Sequence, residues 1–163
     1  MQPTSAQLQI RVSAADKSAI QRLARSAGLD MSSFVLSRVL SAPTLRFAEC
    51  VEACRDAGVA SYGLPELNTF LSGLARSELS LAIAVAPTVK LTPYIANYVA
   101  AMVEYACQKR HVSLPAWVRS VEPLSEPVFA SALQSLRLQL LTNSPPPFRR
   151  RNIFIDSSLG DRV

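Results

Sequence analysis

The chain is poor in the residues that most enzyme chemistry requires. It holds a single histidine, His111, and no nucleophile–histidine–acid order can be assembled around it. Its place beside Lys109 and Arg110 reads instead as the cationic end of a helix. Five glycines are too few and too scattered for a phosphate-cradling loop. The three cysteines, Cys50, Cys54 and Cys107, lack zinc-ligand spacing. Cys50 and Cys54 stand one helical turn apart, so they read as buried thiols rather than ligands. No catalytic residue, metal site or cofactor is therefore expected, and the chain reads as a non-enzyme. No apolar run reaches membrane-spanning length, and the start lacks a charged segment leading into an apolar one. The expectation is a cytoplasmic protein with no membrane contact.

What is present is a half-apolar chain with an uneven basic excess. Apolar residues make up 49% of it, which excludes a disordered chain. Its 163 residues suffice for a small module plus a second domain. Residues 1–43 carry a net charge of +3, residues 44–143 are balanced, and residues 144–163 carry +2. The excess at both ends fits phosphate binding without establishing it.

The first forty residues are the most patterned. In Leu8-Gln9-Ile10-Arg11-Val12 the apolar residues alternate with Gln7, Gln9 and Arg11, as in a strand with one polar face. A lone strand leaves its backbone unpaired, so a second copy of the chain is expected to pair with it as an antiparallel ribbon. Such a ribbon fits the major groove, where Gln and Arg read adenine and guanine edges. Ser13 then stands as an N-cap with Asp16 three residues on, and Ile20, Leu23, Ala24 and Ala27 form a helical stripe. Gly28 ends that helix, and Asp30 caps a second whose apolar face includes Phe34, Val35, Leu36 and Val39. Pro43 bounds it.

The stretches Ile10-Arg11-Val12-Ser13-Ala14-Ala15-Asp16-Lys17 and Ser26-Ala27-Gly28-Leu29-Asp30-Met31-Ser32-Ser33-Phe34-Val35 resemble the ribbon-helix-helix antitoxins of the acetyltransferase-toxin-associated branch. The resemblance covers about a quarter of the chain. It implies an intertwined homodimer that binds a double-stranded DNA operator of inverted repeats and represses its own operon. It also implies base contacts from Gln7, Gln9 and Arg11. Phosphate contacts would come from the backbone and hydroxyls of Met31, Ser32 and Ser33, with Lys17 assisting. A toxin partner would be an acetyltransferase, with a nucleotidyltransferase or ribonuclease also open. Asp30 departs from the pattern, since a carboxylate beside phosphate is repulsive. Antitoxins of this branch end in a short disordered tail, whereas here about 120 residues of helical pattern follow.

Those residues divide at Pro43 into a second domain, residues 44–163. Helices are expected from Thr44 to Gly58 (with Phe47, Ala48, Val51 and Cys54 inward), from Pro65, from Thr92-Pro93, and from Pro127 (with Phe129, Leu133, Leu136 and Leu140 inward). Leu79, Leu81, Ile83 and Val85 mark a buried segment that could be helix or strand, and Trp117 is expected to anchor packing. The scattered glutamates read as solvated faces. The tail Pro145-Pro146-Pro147-Phe148-Arg149-Arg150-Arg151-Asn152-Ile153-Phe154 is weakly similar to the C-terminal end of small bacterial proteins of unassigned function. Phe148, Arg149, Arg150 and Arg151 are candidate partner contacts. The alternative is a tail whose Phe148, Ile153 and Phe154 pack on the core while the arginines bond carboxylates or helix carbonyls.

The fold expected is mostly α: an N-terminal β-α-α ribbon-helix-helix module (1–43), then a helical domain. The function expected is a repressor and antitoxin of a type II pair. The alternative is a non-catalytic homodimeric scaffold without a toxin.

Overall fold

The computed structural model describes residues 9–39, 42–55 and 60–156. The chain divides into two units, residues 1–40 and 41–163.

The first unit is two helices, α1 (Ala14–Ser26) and α2 (Met31–Val39). The Ser13 hydroxyl accepts the Asp16 N–H at 3.1 Å and donates to the Asp16 carboxylate at 2.6 Å. A cap of this kind stabilises a helix by about 1 kcal/mol. At the other end Gly28 is left-handed (φ 67°), which turns the Leu29 N–H back onto the Ala24 carbonyl at 3.0 Å. Both helices therefore stand where their caps place them. The strand does not. Gln9 to Ser13 form no strand, and the Ile10 and Val12 side chains are exposed. The β-α-α ribbon expected from the alternation is thus corrected to a helix pair preceded by an unpaired lead-in. A period of two supplies a polar and an apolar face, but a strand also needs a ladder partner, and the described residues of this unit offer none. Gln7 and Leu8 lie outside the described residues.

The second unit is built around α6 (Pro93–Arg110). Thr92 caps it by accepting the Ile95 N–H, and Pro93 opens it where a missing N–H costs nothing. His111 ends it in a left-handed conformation (φ 53°). Helices α3 (Ala42–Ala53), α4 (Ala60–Gly73) and α5 (Arg76–Ala82) form one side of the unit, and α4 also packs on α6. α7 (Ala116–Ser120) and α9 (Pro146–Arg149) pack on α6 as well. The core joins Phe47, Leu67, Leu79, Val99, Val103 and Val118, among others. Cys50, Cys54 and Cys107 are buried free thiols within it. Trp117 donates from Nε1 to the Ile83 carbonyl at 2.8 Å. Gly63 on α4 is required by close approach: a Cβ there would lie 2.8 Å from the Ala53 carbonyl oxygen of α3.

Four local expectations change. The helix expected from Thr44 is α3, which already takes in Pro43 and Thr44 and ends at Ala53, and its Ala48 is exposed. α4 begins at Ala60 and carries Pro65 inside it, so proline does not open this helix. The segment around Leu79 is α5, whose helical period buries Leu79 and Ala82 and leaves Leu81 exposed; beyond its end Ile83 is buried and Val85 exposed. After Pro127 comes not a helix but β1 (Val128–Phe129). A 3-10 turn (Gln134–Leu136) and the short α8 (Arg137–Asn143) follow, with Leu133 62% exposed and Leu140 buried. β1 forms because the chain returns to it: β2 (Ile153–Phe154) pairs with it in parallel, Val128 to Ile153 and Phe129 to Phe154. The rings of Phe129 and Phe154 stack at 4.9 Å.

Candidate nucleic-acid interface

The basic side chains of the first unit are exposed. Arg11 and Gln9 lie on the lead-in to α1, and Lys17, Arg22 and Arg25 on α1 itself. The apolar residues of this unit are also largely uncovered. Only Ala24 and Phe34 are buried among its described residues, while Leu23, Leu29, Leu36 and Val39 face out. Val39 is 72% exposed.

The α2 N-terminus is less open to an anion than its sequence suggests. Met31, Ser32 and Ser33 are exposed there. However, the Asp30 carboxylate already accepts the Ser32 N–H at 2.9 Å and the Ser33 N–H at 3.0 Å, and the Ser33 hydroxyl as well. These bonds, the Ser33 hydroxyl first, hold the Asp30 carboxyl below its ordinary range. Two of the helix's free amides are thus taken by an internal carboxylate, which does for this helix what a phosphate would do.

The four tail residues separate sharply. Arg149 is exposed. Arg150 pairs with Glu104 of α6, its own side chain 58% exposed. Arg151 is buried: its guanidinium donates to the carbonyl oxygens of Val118 at 2.8 Å and Val121 at 3.1 Å, and to the Asn97 amide oxygen at 3.3 Å. The second Glu104 oxygen lies 3.7 Å away. Burial lowers the Arg151 pKa, and Glu104 opposes that shift. Phe148 is buried edge-on against Tyr98 at 5.2 Å. Phe148 and Arg151 therefore fasten the tail to the unit's own core and are not open to a partner. Glu104, taken from sequence as one of the solvated glutamates, is the counter-charge for both arginines. The signal for it was available only as an acid on the apolar-rich α6.

Among the described residues, no group of three or more His, Cys, Asp or Glu is placed to hold a metal ion. Among them too, no helix is long and apolar enough to cross a membrane. No protein-family model, curated protein or solved structure matches this chain.

Proposed function

We propose that this chain is a cytoplasmic DNA-binding transcriptional repressor whose second unit holds a protein partner, as in an antitoxin of a toxin–antitoxin pair. The observation that carries the proposal is the composition of the first unit's surface. It is a basic helix pair with little core of its own and a row of uncovered apolar side chains. So small a unit buries too little to stand alone, and a second copy is the economical cover. The homodimer would present two sets of Gln9 and Arg11 to base edges, with Lys17, Arg22 and Arg25 on phosphates. The resemblance to ribbon-helix-helix antitoxins supports the DNA-binding function. The toxin it implies is an acetyltransferase, with a nucleotidyltransferase or ribonuclease as the other classes.

The test is selection of bound duplexes from a randomised pool by the full chain. Enrichment of an inverted repeat is expected. Arg11→Ala should then cost roughly 1–3 kcal/mol on the selected duplex and less on random DNA. Lys17→Ala should mainly reduce the salt dependence of both. A pool that returns unenriched would end the DNA reading. For the antitoxin role, co-expression should relieve growth inhibition by a toxin encoded beside this chain.

The Asp30 cap favours a second proposal, a non-catalytic homodimeric scaffold that does not grip DNA. The duplex selection separates the two, and Asp30→Asn tests the part given to the α2 N-terminus. Asparagine keeps an acceptor for the Ser32 and Ser33 amides and removes the charge. If the α2 N-terminus faces phosphate, duplex binding tightens severalfold at low salt, as gel shift would register. Unchanged binding would place that terminus away from the phosphates.

A further inference from the structure

In the second unit, the 3-10 turn and α8 pack on each other and only lightly on the other elements. Of residues 132–143 only Leu140 is buried. Leu133 and Leu136, three apart across the turn, are exposed, and so are Leu138 and Leu141, three apart on α8. Leu138 is the most open of the four, at 73%. Residues two apart lie on opposite sides of a helix, so Leu138 projects away from the side on which Leu140 is buried. α8 is thus apolar on both sides and covered on one, whereas a helix apolar all round is ordinarily buried all round. The four leucines leave a patch on the order of 400 Å², the size at which exposed apolar surface marks an interaction site. Arg137 is the single charge on residues 130–143, and its guanidinium lies over the Phe129 ring, 5.1 Å from its centre. Gln134 and Gln139 beside the leucines are exposed, and each amide carries both donors and an acceptor.

We propose that this leucine face is a self-association surface whose occupant is the same face of a second copy of the chain. A two-fold pair needs a surface that matches itself. Leucines do, and so do glutamine amides, whose donors meet the copy's acceptors across the axis. A face with one charge gives an oppositely charged partner little to select, and two exposed copies of Arg137 repel only weakly through solvent. Two patches face to face hide on the order of 800 Å², and the glutamines at the rim carry the total past the roughly 1,000 Å² that a specific interface clears. The inference goes beyond the homodimer proposed above, which the first unit holds. It concerns the second unit alone and rests neither on that pairing nor on DNA or toxin binding.

The experiment uses the full chain labelled with pyrene maleimide at Ser135→Cys. Ser135 is an exposed residue of the 3-10 turn, and the three native thiols are buried, so the label goes to the turn. Paired leucine faces bring two labels together, and excimer emission is expected. Leu138→Glu in the labelled chain should abolish it, because the pair would bury a carboxylate against leucine. In sedimentation equilibrium the same substitution should weaken association of the unlabelled chain about tenfold. Leu138 is exposed, so Leu138→Glu should melt close to the wild type, which sets loss of pairing apart from loss of fold. It should also bind the selected duplex as the wild type does, so that this face can fail while the DNA reading stands. An absent excimer overturns the proposal. So does an excimer that Leu138→Glu leaves unchanged, which would mean that another surface brings the copies together. A label that gives no excimer while the chain floats with phosphatidylcholine vesicles, and no longer floats as Leu138→Glu, would give the face to a lipid surface instead.

Discussion

Arg151→Ala will destabilise the C-terminal unit by about 3–5 kcal/mol, the usual cost of removing one partner from a buried charge pair. The guanidinium serves three acceptors on two other segments: the carbonyls of Val118 and Val121 and the amide oxygen of Asn97. Alanine leaves those acceptors facing a cavity and leaves Glu104, itself only 13% exposed, with Arg150 alone. Lysine will recover little, because one ammonium cannot fork to two carbonyls. Arg149→Ala, on an exposed neighbour, should stay within about 0.5 kcal/mol of the wild type, and Arg150→Ala within about 1 kcal/mol. Denaturant melts of the three variants decide it. Equal, small losses at all three positions would mean that the Arg151 guanidinium reaches solvent.

A second large effect belongs to alkaline pH. Burial pushes the thiols of Cys54 and Cys107 each up to about 11 from an ordinary 9.0. In both, the folded state keeps a proton that the unfolded chain has already released. Their contribution is therefore complete below pH 9 and is lost as pH rises from there toward 11. Together the two thiols should remove roughly 3 kcal/mol by pH 10, at about 1.4 kcal/mol per pH unit each. Tyr98, raised by burial to about 12 from 10.0, adds a further loss at higher pH. Melts under reductant between pH 8 and pH 11 should show the midpoint falling, and a Cys54→Ala, Cys107→Ala double variant should flatten the curve. A wild-type midpoint that holds steady to pH 10 would show that the thiolates find solvent without unfolding.

The parts of this fold that were legible in sequence are those fixed by local chemistry. Thr92-Pro93 opens α6, and Ser13, Gly28 and Asp30 bound α1 and α2, because caps and left-handed turns depend on residues within one helical turn. What the sequence hid depends on distant partners. The alternation at Gln9–Val12 is as strand-like as any in the chain, yet nothing described pairs with it. Val128-Phe129 has the weaker pattern, yet it is a strand, because Ile153-Phe154 lies beside it. Three arginines in a row left two readings open, a partner contact or bonds to carboxylates and helix carbonyls, with no sign of which arginine would turn inward. Only the carbonyls of Val118 and Val121, some thirty residues earlier, make the third of them a core residue. The candidate interface was likewise half legible: the exposed bases of α1 were where the stripe left them, but the hold of Asp30 on the α2 amides was visible only as an acid in an unfavourable place.

The return of the tail to β1 sets an order of assembly. Phe148, Arg151, Ile153 and Ile155 are all buried parts of the second unit, and the Ser144 hydroxyl donates to the Ile155 carbonyl at 2.7 Å. These contacts can form only as residues 148–155 leave the ribosome, whereas α1 and α2 draw on residues made more than a hundred positions earlier. A nascent chain can therefore hold a finished helix pair while its second unit still lacks the segment that closes it. By the same logic a single cut between α8 and β2 would open the second unit and leave the first unit's own contacts untouched.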